Sequence, residues 1–487
     1  VDSGNKLLHF GAAQRSYFCI SAIQKAHGMT KTLFSLVLAL ILGVSSPALA
    51  QDSVLDSGDT AWMLVSCLLV LMMSIPGLAL FYGGLVKKDN VLATLMQTLA
   101  VCALIGIAWP VVGYTLAFSE GNGFIGGLSL AFLDGLTPAS MTGTIPETVF
   151  IMFQMTFAMI TTALLLGSVA DRIKFTTVLI FAPLWMIVVY APIAHWVWGP
   201  GGFLGGVGLE GYTGFLGFGN ALDFAGGTVV HINSGIAGLV CALHLGRRVD
   251  YGAQTASTPN NLVMSVMGTG LLWVGWFGFN AGSALAAGTS AGMAMLVTNS
   301  AAAMGCITWI VIELLHKKKA SVVGALSGLV SGLVAITPAA GFVTFSGSLV
   351  IGLVTGISCY FAVTWLKAWL KYDDSLDVFG IHGMGGIVGA ILTGVFATTS
   401  ISEASGLIDG NPDQIVAQIL SVLVVCVYSA AATFILLQIM ACFKGLRVRP
   451  EVEREGLDLA LHGETIPWSS HAVGEAARSL SAKIEKI

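Results

Sequence analysis

His231-Ile232-Asn233-Ser234-Gly235-Ile236-Ala237-Gly238 sits in one apolar run of the chain, and His382-Gly383-Met384-Gly385-Gly386-Ile387-Val388-Gly389 sits in another. Both read H-x-x-x-G-I-x-G. An ionisable side chain inside a membrane-length apolar segment is costly and is generally found facing a bundle interior, a cavity or a pathway. Two readings are open: separate buried histidines, each bonded to a carbonyl, or two imidazoles delivered to one central point.

Outward from these motifs, apolar stretches long enough to cross a bilayer fall at 59–84, 90–118, 147–169, 175–197, 222–246, 261–283, 291–315, 321–340, 347–370, 378–400 and 414–441. The expected fold is therefore an all-α integral membrane protein with eleven transmembrane helices. The histidine motifs lie in the fifth and tenth spans. A looser echo, Gly77-x-x-x-Phe81-x-x-Gly84 against Gly275-x-x-x-Phe279-x-x-Gly282, joins the first and sixth. An odd number of spans separates the members of each pair, so the halves have opposite membrane orientation. That is an inverted repeat of helices 1–5 and 6–10, with the substrate path expected as a central pore at their interface. At 1.5 Å per residue, His231 would lie roughly 13 Å into a core of about 30 Å, with His382 at a similar depth from the other side.

The composition supports a membrane setting. Of 487 residues, 55% are hydrophobic and 10% charged, where a soluble chain carries roughly a quarter charged residues. The 60 glycines suit close helix contacts in lipid. A net charge of −4 offers no large basic surface, so nucleic acid is not an expected partner. The eight cysteines form no C-x-x-C pair, and no phosphate loop or H-E-x-x-H motif occurs. No cofactor, no metal and no enzymatic activity are expected.

Lys and Arg sit in every second connection: Lys87 and Lys88, Arg172 and Lys174, Arg247 and Arg248, Lys317 to Lys319, Lys371, and then Lys444, Arg447, Arg449 and Arg454. The connections 119–146, 198–221, 284–290, 341–346 and 401–413 contain neither. The positive-inside rule makes the basic loops cytoplasmic, with the amino terminus out and the carboxyl tail in. Trp196, Trp198, Trp365 and Trp369 near span ends fit an interfacial aromatic belt, a reading favoured for all but Trp198.

Residues 1–28 precede the first plausible start, Met29, and carry no assigned function. Met29-Thr30-Lys31-Thr32, the apolar run 33–44 and Ser45-Ser46-Pro47-Ala48-Leu49-Ala50 have the layout of a signal peptide at 29–50. The alternative, a twelfth span, needs about 20 apolar residues. The domain expectation is thus an eleven-helix body over 51–442 and a cytoplasmic tail over 443–487.

Asp223 and Asp377 precede the two histidines. Each could attract a cation near a pore mouth or accept hydrogen bonds from exposed amides at a helix start.

The run from Asp223 to Asn233, Trp276-Phe277-Gly278-Phe279-Asn280-Ala281-Gly282-Ser283, Asp377-Val378-Phe379-Gly380-Ile381-His382-Gly383 and Glu453-Arg454-Glu455-Gly456-Leu457-Asp458 resemble the signatures of the ammonium transporter (Amt/MEP/Rh) family, nearest its bacterial Amt branch. The resemblance runs from about Asp56 to Glu464. It implies an outer recruitment site of Phe157, Trp198 and Ser283, where aromatic faces hold a cation with roughly 0.5–2 kcal/mol and a hydroxyl accepts one N–H. It implies a stacked gate of Phe157 and Phe279, Trp276 beside the conduction path, and His231 and His382 as its twin-histidine lining. Asp223 would support structure and deprotonation.

Burying an unpaired ion costs several kcal/mol or more. The physical expectation is capture of ammonium outside, loss of its proton near the gate and passage of ammonia, with or without a relayed proton. Imidazole suits such a path because it can donate at one nitrogen, accept at the other and exchange a proton. The rival reading is an ammonium sensor signalling through the tail, although about 45 residues after the last span are few for a catalytic domain. The resemblance further implies a homotrimer in a plasma membrane, expected to be a Gram-negative inner membrane. It also implies a PII-type signalling protein as possible partner at Gly246–Asn260 and the tail.

Overall fold

The computed structural model describes residues 54–209, 211–252 and 259–467. The segments 1–28 and 29–50 and the end of the tail lie outside them. Each expected span forms a helix: α1 Ser57–Leu85, α2 Val91–Phe118, α3 Glu147–Val169, α4 Phe175–Trp198, α5 Gly227–Leu245, α6 Leu262–Gly282, α7 Thr289–Lys317, α8 Val322–Ile336, α9 Phe345–Leu370, α10 Phe379–Phe396 and α11 Asp413–Phe443. Ten are long and apolar enough to cross a bilayer. The exception is α8, expected over 321–340, which stops at Ile336 and gives way to buried turns through Val343. Thr337, the residue that follows the last turn, donates its hydroxyl to Leu333 O at 2.8 Å.

Burial sorts the helices. The most apolar window of α3 is 89% buried, so α3 is central, whereas that of α11 is only 33% buried and presents most of its surface outward. Helix α1 is interrupted over Met73–Leu78, where Pro76 lacks an N–H and Ile75 is extended.

The two sequence echoes become two antiparallel crossings. Between α1 and α6, a Cβ on Gly268 would fall 2.3 Å from Phe81 N, and the chains run past each other from Ser66 beside Gly282 to Gly84 beside Ser265. Between α5 and α10, a Cβ on Gly235 would fall 2.2 Å from Gly383 N. Residues four apart share a helix face, so the glycine of each H-x-x-x-G motif lets the opposing helix approach beside its histidine. On the other helix, Gly386 meets Ile232 in the same way.

The expected start of the fifth span at 222 is corrected. Residues 222–226 are not helical; α5 begins at Gly227, after Gly226 in a left-handed conformation, so His231 lies in its opening turns. His382 likewise lies in the first turns of α10. The crossing brings together the starts of two helices rather than their middles.

The basic connections converge on one end. Arg248 pairs with Asp171 at 3.1 Å and Asp373 at 2.8 Å, with all three side chains buried. Arg172, also buried, donates to Asp373 O and Ser375 Oγ at 2.5 and 2.6 Å. The tail closes over this cluster: Arg447 pairs with Glu453, Glu453 accepts from Val249 N, and Asp458 caps α2 by accepting from Ala93 N. Burial works against ionisation of Asp373, but Arg248 overrides it and holds that carboxyl below the usual range. Asp374, with no arginine on its side chain among the described residues, is pushed by burial up to about 6, Lys367 only partly opposing. The opposite end carries the connections without Lys or Arg, including two short hairpins, Gly121–Asn122 with Ile125–Gly126 and Met141–Thr142 with Ile145–Pro146. Here Trp196 departs from expectation: it is buried and donates to Phe124 O at 2.7 Å, tying down a loop, whereas Trp365 and Trp369 are exposed.

Candidate functional site

Three cavities line up through the repeat interface. One recess, about 190 Å³, opens at the end whose connections carry no Lys or Arg, the end expected to be outer, and is lined by Phe153, Gln154, Phe157, Trp198, Phe224 and Ser283 among others. Trp198 at the end of α4 is fixed by donating from Nε1 to Asp223 O at 2.8 Å, and its ring meets Phe157 edge-on at 6.0 Å. Ser283, just past α6, donates to Phe279 O at 2.9 Å, which leaves its oxygen lone pairs free to accept. The three residues expected to form an outer recruitment site therefore face one recess.

Below it, Phe157 from α3 and Phe279 from α6 stack with centroids 4.0 Å apart and planes 18° from parallel. Both are essentially fully buried. Phe157 lines the outer recess and Phe279 lines the next cavity inward, so the stack is the partition between them.

That central cavity measures about 10 Å³ and is bounded by Phe81, Val230, His231, Leu272, Trp276, Phe279, Val330 and His382. A water needs about 10–15 Å³ by this measure, so the space admits one small molecule. His231 and His382 meet Nδ1 to Nδ1 at 3.3 Å. One Nδ1 must donate and the other accept, so the neutral pair shares a single proton between them. The Nε2 of His231 has no protein partner among the described residues. Trp276 stacks on His231 at 5.4 Å and is anchored by donating to Thr337 Oγ1 at 2.9 Å. An apolar, aromatic wall with one coupled pair of imidazoles can exchange a hydrogen bond or proton with a small neutral molecule but offers too few polar groups to solvate an ion.

Asp223 does not face this cavity as a free carboxylate. Its oxygens accept from Gly226 N at 2.9 Å, Gly227 N at 2.5 Å, Thr228 N at 2.8 Å and Val229 N at 3.2 Å, and from the Thr228 hydroxyl. These are the orphan amides of α5. Asp377, the other acid, is held by Lys367 Nζ at 2.5 Å. It lines an inner recess of about 130 Å³ with Phe81, Lys87, Asp171, Arg248 and Lys367.

Two lining residues and one anchor were not anticipated. Phe81 borders both the central and inner cavities, and its echo of Phe279 was the signal available in the sequence. Gln154 presents a buried Oε1 without a partner among the described residues at the outer recess. Thr337 anchors Trp276 from the point where α8 ends, which no motif announces.

The sequence model described as the Ammonium Transporter Family matches residues 61–466. The "Ammonium transporter" of Aquifex aeolicus is 49% identical, covering 88% of this chain and 97% of its own. That of Bacillus subtilis is 48% identical, covering 84% and 98%. Among solved structures, Saccharomyces cerevisiae Mep2 superposes with a TM-score of 0.74 at 37% identity, covering 82% of this chain and 88% of its own. A structure titled "Sensor Amt Protein" superposes at 0.75 with 28% identity, covering 83% and 98%.

Proposed function

This chain belongs to the ammonium transporter family and is a multi-pass membrane protein that transports ammonium; we propose that it recruits the ion, strips its proton and conducts ammonia. In this reading Phe157, Trp198 and Ser283 hold ammonium in the outer recess by cation–π contact and hydrogen bonding. Phe157 and Phe279 swing aside to admit it. The proton is lost at or above the stack, because an ion in the roughly one-water cavity below would have almost no polar partners. Ammonia then passes Trp276, donates to or accepts from the His231–His382 pair and leaves past Phe81. Asp223 acts through the amides it holds, fixing the start of α5 and hence His231.

The observation that supports this most is the 3.3 Å contact of two buried imidazoles in a cavity otherwise walled by apolar and aromatic side chains. The test is flux with current in proteoliposomes. Wild-type protein should raise methylammonium or ammonium uptake above empty vesicles. Current lost in His231→Ala or His382→Ala with ammonia flux retained would establish a proton relay. Unchanged current in both would remove it, and absence of flux from folded protein would favour a sensor over a transporter.

We further read the basic end as cytoplasmic, with the amino terminus out and the tail in. The chain acts without a cofactor and not as an enzyme, as a homotrimer in a bacterial inner membrane. The inner loop after α5 and the tail offer the surface for a PII-type partner. A signal peptide at 29–50 fits an external amino terminus.

A further inference from the structure

The inverted repeat sets Phe81 against Phe279 and, four residues further along each chain, Leu85 against Ser283. Phe279 lines the central cavity and Ser283 the outer recess, whereas Phe81 and Leu85 both line the inner recess. Where the outer side offers a hydroxyl oxygen, the inner side offers methyl groups. The two recesses differ in charge as well. Among the described residues no Asp, Glu, Lys or Arg lines the outer recess, so a captured cation would be the only charge in it. The inner recess is lined by Lys87, Arg248 and Lys367 together with Asp171 and Asp377.

Both of those carboxylates already hold protein donors. Asp171 accepts from Arg248 Nη1 at 3.1 Å and from Asn90 Nδ2 at 2.5 Å. Asp377 accepts from Lys367 Nζ at 2.5 Å, and the same Nζ donates to Asp374 O at 2.7 Å. Lys367 reaches this point from the last turns of α9, and Asp377 stands just before α10, whose Ile381 also lines the recess. A lysine head is an ammonium group on a flexible four-carbon stem. Lys367 Nζ therefore sits as a free ammonium would, with one N–H on a carboxylate and another on a carbonyl.

From this arrangement we propose that Lys367 is a tethered ammonium that fills the cation site of the inner mouth and makes transport sided, with higher affinity for ammonium from the outer end than from the basic end. The inference rests on the transport reading above and adds to it the residue that sets the sidedness. Ammonium arriving from the basic end must displace Nζ, whose effective concentration at Asp377 is fixed by a short tether. Ammonium arriving at the outer recess displaces no protein cation. A passive path has the same Vmax/KM from both sides at zero membrane potential, because no net flux runs between equal concentrations. The weaker inner site thus appears as a higher KM with a proportionally higher Vmax.

The test is methylammonium uptake into right-side-out and inside-out membrane vesicles carrying the full-length protein, at equal pH and with the potential clamped at zero. In wild type, KM from the basic end should exceed that from the outer end severalfold. Lys367→Gln leaves Asp377 open, so inner KM and Vmax should fall together; adding Asp377→Asn removes the carboxylate and should restore the high inner KM. Poor folding of a variant lowers Vmax from both sides without moving KM, so the KM comparison stands apart from it. Equal KM values from the two sides of wild type would overturn the inference and leave transport intact, whereas absence of protein-dependent uptake in both vesicle types would overturn both. The same inner KM in the single and double variants would also overturn it, reducing the Lys367–Asp377 pair to a structural contact.

Discussion

Asp223 and the histidines show how much a single side chain can decide. An N-cap aspartate ordinarily satisfies one or two amides; Asp223, buried, accepts from four backbone N–H groups and a hydroxyl. Replacing a cap by Ala costs about 0.5–2 kcal/mol, and each buried amide left unpaired adds about 1–3 kcal/mol. Asp223→Ala should therefore lower the thermal unfolding midpoint markedly and abolish flux, whereas Asp223→Asn, which keeps one acceptor oxygen, should fall between; an Ala variant as stable as wild type would contradict the capping role. That one of the two flanking acids caps and the other pairs with Lys367 could not be read from their spacing, because both stand a similar distance before a histidine. Only the loop conformation separates them.

At the scale of the helix, the motif glycines have measurable consequences. A Cβ at Gly235 would meet backbone atoms of Gly383, which cannot rotate away, so the α5–α10 crossing must open. Overpacking of this kind costs about 1–3 kcal/mol or more. Gly270 on α6 has nothing within 4 Å of its Cβ position, and there Ala should stabilise by roughly 0.5–1 kcal/mol through helix propensity. Gly235→Ala and Gly270→Ala should thus shift the detergent-solubilised melting temperature in opposite directions. The same sign for both would show that propensity, not close approach, governs these positions. The periodic apolar runs made nearly every helix legible, since a bilayer demands about 20 apolar residues per crossing. The early end of α8 and the non-helical approach to α5 were not legible. Both lie in apolar sequence whose polar backbone groups are satisfied by neighbours: Pro338 O and Phe342 O accept from Phe224 N and Thr398 N, and the Asp223 carboxylate accepts from the amides at the start of α5.

Over the whole molecule, the ion cluster at the basic end joins the loops after α3, α5 and α9 to the tail. Asp374 is raised from a model-peptide value of 3.8 to about 6 because burial disfavours its charge. The folded form therefore holds a proton that the unfolded chain releases between about pH 4 and 6, so this group makes stability fall as pH rises through that window. A shift of this size corresponds to about 3 kcal/mol at 1.36 kcal/mol per unit. Asp374→Asn, which resembles the protonated acid, should flatten the decline of melting temperature between pH 4 and 6.5. A slope identical to wild type would show that Asp374 ionises freely.

Hydropathy, the alternation of basic loops and the inverted H-x-x-x-G-I-x-G motifs were enough, from the sequence alone, to specify a helical membrane protein built from two opposed halves with histidines at their junction. These follow from one-dimensional patterns because lipid imposes length and polarity on every span. The 4.0 Å stack of Phe157 on Phe279, the 3.3 Å imidazole contact and the pairing of Arg248 with both Asp171 and Asp373 were decided only in three dimensions. Each joins residues separated by many tens of positions, and which side chains meet depends on how closely glycine-lined helices can cross, a distance no single segment encodes.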